Sequence, residues 1–164
     1  MKQEMQQKIS DFIDGHREEM LSLWQELVNM ESGSGNKAGI DAVSSRLQQV
    51  LDGEGAITRV AEMAKAGNML IGEVGAGRGK PAVLFMGHMD TVFSLGTVAK
   101  RPFTIKEGTA YGPGALDMKG GIVAFLYAIK ALNAAGYETR PLKVLLAGDE
   151  EIAHANSNAA DVFM

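Results

Sequence analysis

The stretch Ala82-Val83-Leu84-Phe85-Met86-Gly87-His88-Met89-Asp90-Thr91-Val92 decides how this chain is read. Its first five residues are continuously apolar, the pattern of a strand covered on both faces by helices. Immediately afterwards come an imidazole and a carboxylate two positions apart. The arrangement recurs downstream: Leu142 to Ala147 is apolar except for Lys143, and Gly148-Asp149-Glu150-Glu151 follows directly. Between the two strands, Lys119 to Ala135 predicts a helix that is apolar nearly all round through Ile122, Val123, Phe125, Leu126, Ile129 and Leu132, hence buried against the sheet, with Gly136 ending it.

Working outward, Lys2 to Met30 has the spacing of a helix with one buried stripe, through Ile9, Phe12, Ile13, Met20, Leu23, Trp24 and Leu27. Ile40, Val43, Leu47, Val50 and Leu51 mark a second amphipathic helix, closed by Gly53 and Gly55. Ile57 to Val60 and Asn68 to Val74 read as short strands, Gly75 to Pro81 as a turn, and Phe103 to Ile105 with Thr109 to Tyr111 as a small hairpin. A short helix is expected around Asn158 to Phe163. Helices alternating with buried strands predict an α/β domain whose mixed, mostly parallel sheet is flanked by helices.

Composition narrows the function. A chain of 164 residues with 46% hydrophobic and 22% charged residues predicts one soluble domain. No apolar run approaches the ~20 residues of a membrane span and the start is polar, so no membrane partner and a cytoplasmic location are expected. With no cysteine, disulfides and thiolate ligands are excluded, and a metal must be held by His, Asp or Glu. The net charge of −4, without a basic run interleaved with aromatics, argues against nucleic acid and for a small-molecule partner.

Ligands of such sheets gather at the carboxyl ends of strands, where His88, Asp90, Asp149, Glu150 and Glu151 lie. Gly112-Pro113-Gly114-Ala115-Leu116-Asp117-Met118-Lys119-Gly120-Gly121 brings a further acid to the entrance of the buried helix. Imidazole and carboxylate donors without thiolate suit zinc, and also cobalt or manganese. Asp90, on the same side of an extended chain as His88, is placed to hold one ring nitrogen while the other faces metal. The adjacent Glu150 and Glu151 point in different directions, so one can bind metal while the other faces the attacking water. Each cluster alone is a weak signal; their order at strand ends gives a metallohydrolase. His16 reads as packing or surface, and Ser32 to Gly35, lacking the Lys-Ser/Thr ending of a P-loop, as a plain connector.

Taken together, Gly87 to Val92, Arg101-Pro102-Phe103, Tyr111 to Gly114, Asp117 to Gly121 and Asp149-Glu150-Glu151 resemble the metallopeptidase family of glutamate carboxypeptidase, aminoacylase, acetylornithine deacetylase and succinyl-diaminopimelate desuccinylase. The resemblance implies two zinc ions in a complete site. In it, His88 is a ligand of one ion, Asp117 bridges both and Glu151 is a ligand of the other. It further implies that Asp90 orients His88, that Glu150 is the general base, and that the Asp117-Met118 peptide is cis. The implied reaction is hydrolysis of an amide next to a free carboxylate, in a peptide or an N-acyl amino acid.

Members of that family are much longer. The resemblance therefore implies that residues 1–164 are the amino-terminal part of a catalytic domain, without the inserted dimerisation domain and the carboxyl-terminal remainder. A later acidic ligand and a final histidine have no counterpart; His154 reads as a loop residue and Asp161 as an ordinary acid of the last helix. The competing expectation is thus a truncated, catalytically incomplete metal-binding domain or half of a split enzyme, inactive alone and open to self-association or to a complementing chain.

Overall fold

The computed structural model describes residues 2–76 and 79–157, so the helix expected around Asn158 to Phe163, Asp161 and part of the 75–81 turn lie outside the described residues. In chain order the elements are α1 (Lys2–Gly15), α2 (Arg17–Asn29), α3 (Lys37–Gly53), β1 (Ile57–Ala61), β2 (Met69–Val74), β3 (Val83–His88), α4 (Thr97–Lys100), β4 (Thr104–Lys106), β5 (Thr109–Tyr111), α5 (Gly121–Ala134) and β6 (Leu142–Ala147). No helix among the described residues is long and apolar enough to cross a membrane.

The main sheet has the order β1-β2-β6-β3, with β4 and β5 forming the separate hairpin expected from the sequence. It is mixed, as expected, but its parallel character is confined to β3 and β6; β1 with β2 and β2 with β6 are antiparallel. The connection from Ala61 to Met69 is too short for the crossover that a parallel pair requires. The parallel pair is the one that matters for function, because its register, Val83 opposite Leu142 through His88 opposite Ala147, brings both polar clusters to the same end of the sheet.

The helices cover one face. Leu27, Ile40, Val43, Leu47, Leu70, Ile122, Leu126, Ile129, Val144 and Leu146 form a fully buried core there. At roughly 25 cal/mol per Å² of apolar surface, this burial is the main force holding the sheet to its helices. A smaller cluster of Met69, Leu145 and Ala147 lies on the other face under Met63. The expectation that Ala82 to Met86 is covered on both sides is corrected. β3 is an edge strand with Phe85 against Phe125 of α5, whereas Leu84 and Met86 are exposed by 47% and 55%. A continuous apolar run records the tendency to be buried, not what is present to bury it.

The single helix expected over Lys2 to Met30 is two. It breaks at His16, where Gly15 precedes a residue with non-helical dihedrals and the His16 ring stacks on Phe12. His16 Nδ1 lies 2.7 Å from the Phe12 carbonyl, a packing role.

Candidate metal centre

Three segments converge at the carboxyl ends of β3 and β6. The ladder runs past the strands, with Met89 N donating to the Ala147 carbonyl at 2.8 Å, so His88 and the Gly148 to Glu151 turn leave the sheet side by side. The loop carrying Asp117 is a wide helical turn over Ala115–Gly120, entered through Gly114 at φ 67. Only a residue without Cβ adopts that backbone cheaply, and a Cβ there would also crowd Thr91. The Asp117-Met118 peptide is cis, as the resemblance implied.

Three anchors fix this loop. Trp24 Nε1 donates to the Ala115 carbonyl at 3.1 Å. The fully buried Lys119 donates from Nζ to the carbonyls of Leu27 and Met30, 2.8 Å each, at the carboxyl end of α2. Met118 Sδ accepts from His88 N at 3.3 Å and covers Gly87, where an added Cβ would stand 2.8 Å from Met118 Cε.

The result is a group in which one ligand atom each from His88, Asp117 and Glu151 lies within 4.8 Å of the others. His88 Nε2 is 3.1 Å from Asp117 Oδ1 and 3.7 Å from Glu150 Oε2. His88 itself is buried, whereas the side chains of Asp117 and Glu150 are 73% and 51% exposed. One imidazole and two carboxylates, with space on the solvent side, fit a catalytic zinc site: ligands at about 2 Å from one ion stand about 3 to 4 Å apart. His154, by contrast, is turned away: its Nδ1 donates to Asp149 Oδ1 at 3.2 Å.

Asp90 organises the centre more widely than the sequence suggested. His88 Nδ1 is 3.0 Å from the Asp90 carbonyl and 3.4 Å from its carboxylate. A carbonyl only accepts, so Nδ1 carries a hydrogen and Nε2 is left to face the acids. The fully buried Asp90 carboxylate also accepts from Ser34 Oγ at 2.7 Å, Glu150 N at 3.0 Å and Glu151 N at 3.2 Å. One side chain thus ties the end of β3 to the turn that presents both glutamates. Beside it, the fully buried Asp149 accepts from His154, Asn156 N and Ser157 Oγ and closes that turn. Ser34, Met118, Trp24 and Lys119 escaped the sequence reading as site residues, because what links them to the centre is contact over long sequence separations.

Electrostatics follow from this packing. Burial opposes charge on His88, but the hydrogen bonds to Asp90 and Asp117 outweigh it and raise the metal-free imidazole to about 9. Burial would raise Asp90, yet its contacts with His88, Ser34 and the two backbone N–H groups hold it below the ordinary carboxylate value. Glu151 is raised, by burial first and by the neighbouring acids, against the pull of His88.

Comparison with known proteins adds what the chain is similar to. Residues 84–163 match the family model described as Peptidase family M20/M25/M40. The chain is 38% identical over 130 residues to carboxypeptidase G2 from Pseudomonas sp. (strain RS-16), covering 77% of this chain and 31% of that protein. The chain is thus similar to members of peptidase family M20/M25/M40 over just under half of its length. A succinyl-diaminopimelate desuccinylase from Stenotrophomonas maltophilia (strain R551-3) is 42% identical over 80 residues, 46% of this chain and 21% of that one. In fold, the chain resembles human carnosine dipeptidase 1, with a TM-score of 0.81 at 24% identity over 92% of this chain and 36% of the other. The chain therefore spans less than a third of the carboxypeptidase G2 it matches.

Proposed function

We propose that this chain carries the metal-binding half of a zinc-dependent amidohydrolase that cleaves an amide next to a free carboxylate, in a peptide or an N-acyl amino acid. The observation that carries this reading is the convergence of His88, Asp117 and Glu151 within 4.8 Å, with Glu150 at their edge. The similarity to a carboxypeptidase and to a desuccinylase supports the substrate class. His88, Asp117 and Glu151 would hold zinc, which would supply the Lewis acidity that polarises the scissile carbonyl and acidifies the attacking water; cobalt or manganese would suit the same donors.

The chain's own residues do the rest. Asp90 keeps the hydrogen of His88 on Nδ1, so that Nε2 serves as a ligand. Asp117 and Glu151 offer carboxylate oxygens from two different loops. Glu150, half exposed and 3.7 Å from His88 Nε2, is the general base: it takes a proton from the attacking water onto its carboxylate and delivers it to the leaving nitrogen. Glu150→Gln keeps the metal ligands and removes the base, so zinc binding should persist while turnover falls by a factor of about 100 or more. Near-normal kcat in Glu150→Gln would remove Glu150 from this role.

A second reading rests on ligand count. Two ions drawing on His88, Asp117 and Glu151 have two protein ligands each, fewer than the three of a tight catalytic site. We infer that turnover requires further ligands from another segment or a complementing chain, residues 1–164 being the amino-terminal part of a catalytic domain. Purified 164-residue protein should then bind zinc weakly and hydrolyse dipeptides and N-acyl amino acids slowly or not at all; robust hydrolysis by it would contradict the inference. The cytoplasmic location expected from the sequence belongs to this proposal, and cell fractionation tests it.

A further inference from the structure

Beside the metal group lies a cleft of about 570 Å³, lined by Gly33 to Asn36, Thr91 to Leu95, Glu151 and Ile152. Its two walls meet closely. Gly33 bridges to Thr91 in parallel fashion, and a Cβ at position 33 would collide with the Phe93 carbonyl, so this approach needs glycine. Ser34 N also donates to the Thr91 carbonyl at 3.0 Å. The floor is thereby fixed to the strand end that carries His88.

The chemistry of the cleft is one-sided. Val92, Leu95 and Ile152 are exposed by 68%, 76% and 37%, large apolar side chains presented to solvent at the mouth of a polar centre. Among the described residues no Lys, Arg or His lines it, and the one charged group there is the carboxylate of Glu151. Arg101 stands over the ring of the lining residue Phe93 at 5.4 Å and, with Lys100 and Pro102, lines a separate cleft. The polar side chains of the floor are already engaged, Ser34 with Asp90 and Asn36 with Glu31 and Gly39.

We propose that this cleft is the subsite for the half of the substrate that lacks the free carboxylate, and that Val92, Leu95 and Ile152 select an uncharged, apolar acyl or amino-terminal group there. The proposal rests on the hydrolase reading for the position of the scissile amide, and on the cleft alone for its selectivity. An acyl group ending in a carboxylate would lose hydration among Val92, Leu95 and Ile152, so it is disfavoured there relative to an uncharged one.

The test is binding of acetyl-, butyryl- and hexanoylglycine and of adipoylglycine to the 164-residue protein, with and without zinc, read by the methyl resonances of Val92, Leu95 and Ile152. Affinity should rise at least about tenfold from the acetyl to the hexanoyl compound as methylenes leave water. Adipoylglycine should bind at least about tenfold more weakly than hexanoylglycine. Val92→Asp and Leu95→Asp, at exposed positions that leave the core intact, should abolish the gain with chain length. Equal affinity across the series, an undiminished gain in both variants, or adipoylglycine binding as well as hexanoylglycine would overturn the proposal. Failure of zinc to bind in the same samples, with the chain-length gain intact, would count against the hydrolase reading and not against the cleft.

Discussion

Asp90 is the residue on which most of the site's geometry depends, since its carboxylate reaches His88, Ser34 and the backbone of both glutamates. Asp90→Asn retains the size but loses the charge, and zinc affinity measured by chelator competition should fall about 10- to 100-fold, the usual effect of removing an orienting carboxylate. Ser34→Ala should act through the same group more weakly. The pH dependence has a definite sign. His88 is raised in the folded, metal-free protein from 6.5 to about 9, so its contribution to stability is complete below pH 6.5 and disappears as pH rises through about 9. Asp90 is lowered, so its contribution is present above the ordinary value of 3.8 and is lost as pH falls below that. Urea unfolding in EDTA between pH 6.5 and 8 should therefore show stability falling with pH, and His88→Gln should flatten that slope; a slope unchanged in the variant would refute the assignment. Zinc has to displace the Nε2 proton, so its affinity should rise over the same interval.

Among the elements, the attachment of α2 to the Asp117 loop is the least replaceable. Lys119 is buried and satisfies two carbonyls at the end of α2. Lys119→Met keeps the apolar stem but leaves those carbonyls without their donor, at a cost of about 2 kcal/mol or more in urea unfolding. Burial lowers this amine from 10.5 to about 8 despite the pull of Glu31. Since the folded value lies below the unfolded one, the charged amine costs stability below pH 8, and this penalty is released as pH rises from about 8 to 10.5, a rise absent in Lys119→Met. Much at this scale was legible in the sequence. Leu142 to Ala147 and the hairpin strand Thr109 to Tyr111 fall where expected, and α3 differs only by the turn that Asn36 caps through Gly39 N, because local periodicity and glycine placement govern them. The antiparallel pairing of β2 with β6 and the role of Ser34 were not, since both depend on partners distant in sequence, and the break at His16 was not, because the apolar spacing runs through it. The three proposed ligands were legible as residue types at strand ends; the anchors that aim them were not.

For the molecule as a whole, the helices gather on one face of the sheet and β3 lies at its edge. Leu84 and Met86, with Val83, form an exposed apolar strip along that edge, and Ile57 is exposed at the opposite strand. Edge strands of this kind favour pairing with another chain. Sedimentation velocity of the 164-residue protein should show concentration-dependent self-association that Leu84→Lys with Met86→Lys suppresses; a monomer at all concentrations would argue that the strip has no such role. The central claim is more local: that side chains from the ends of two neighbouring strands and from the loop before α5 close on common metal. Zinc-edge anomalous diffraction from zinc-soaked crystals addresses it most directly. A peak about 2 Å from His88 Nε2 and from carboxylate oxygens of Asp117 or Glu151 is the expected result. Density at other residues alone, or none at millimolar zinc, would contradict it.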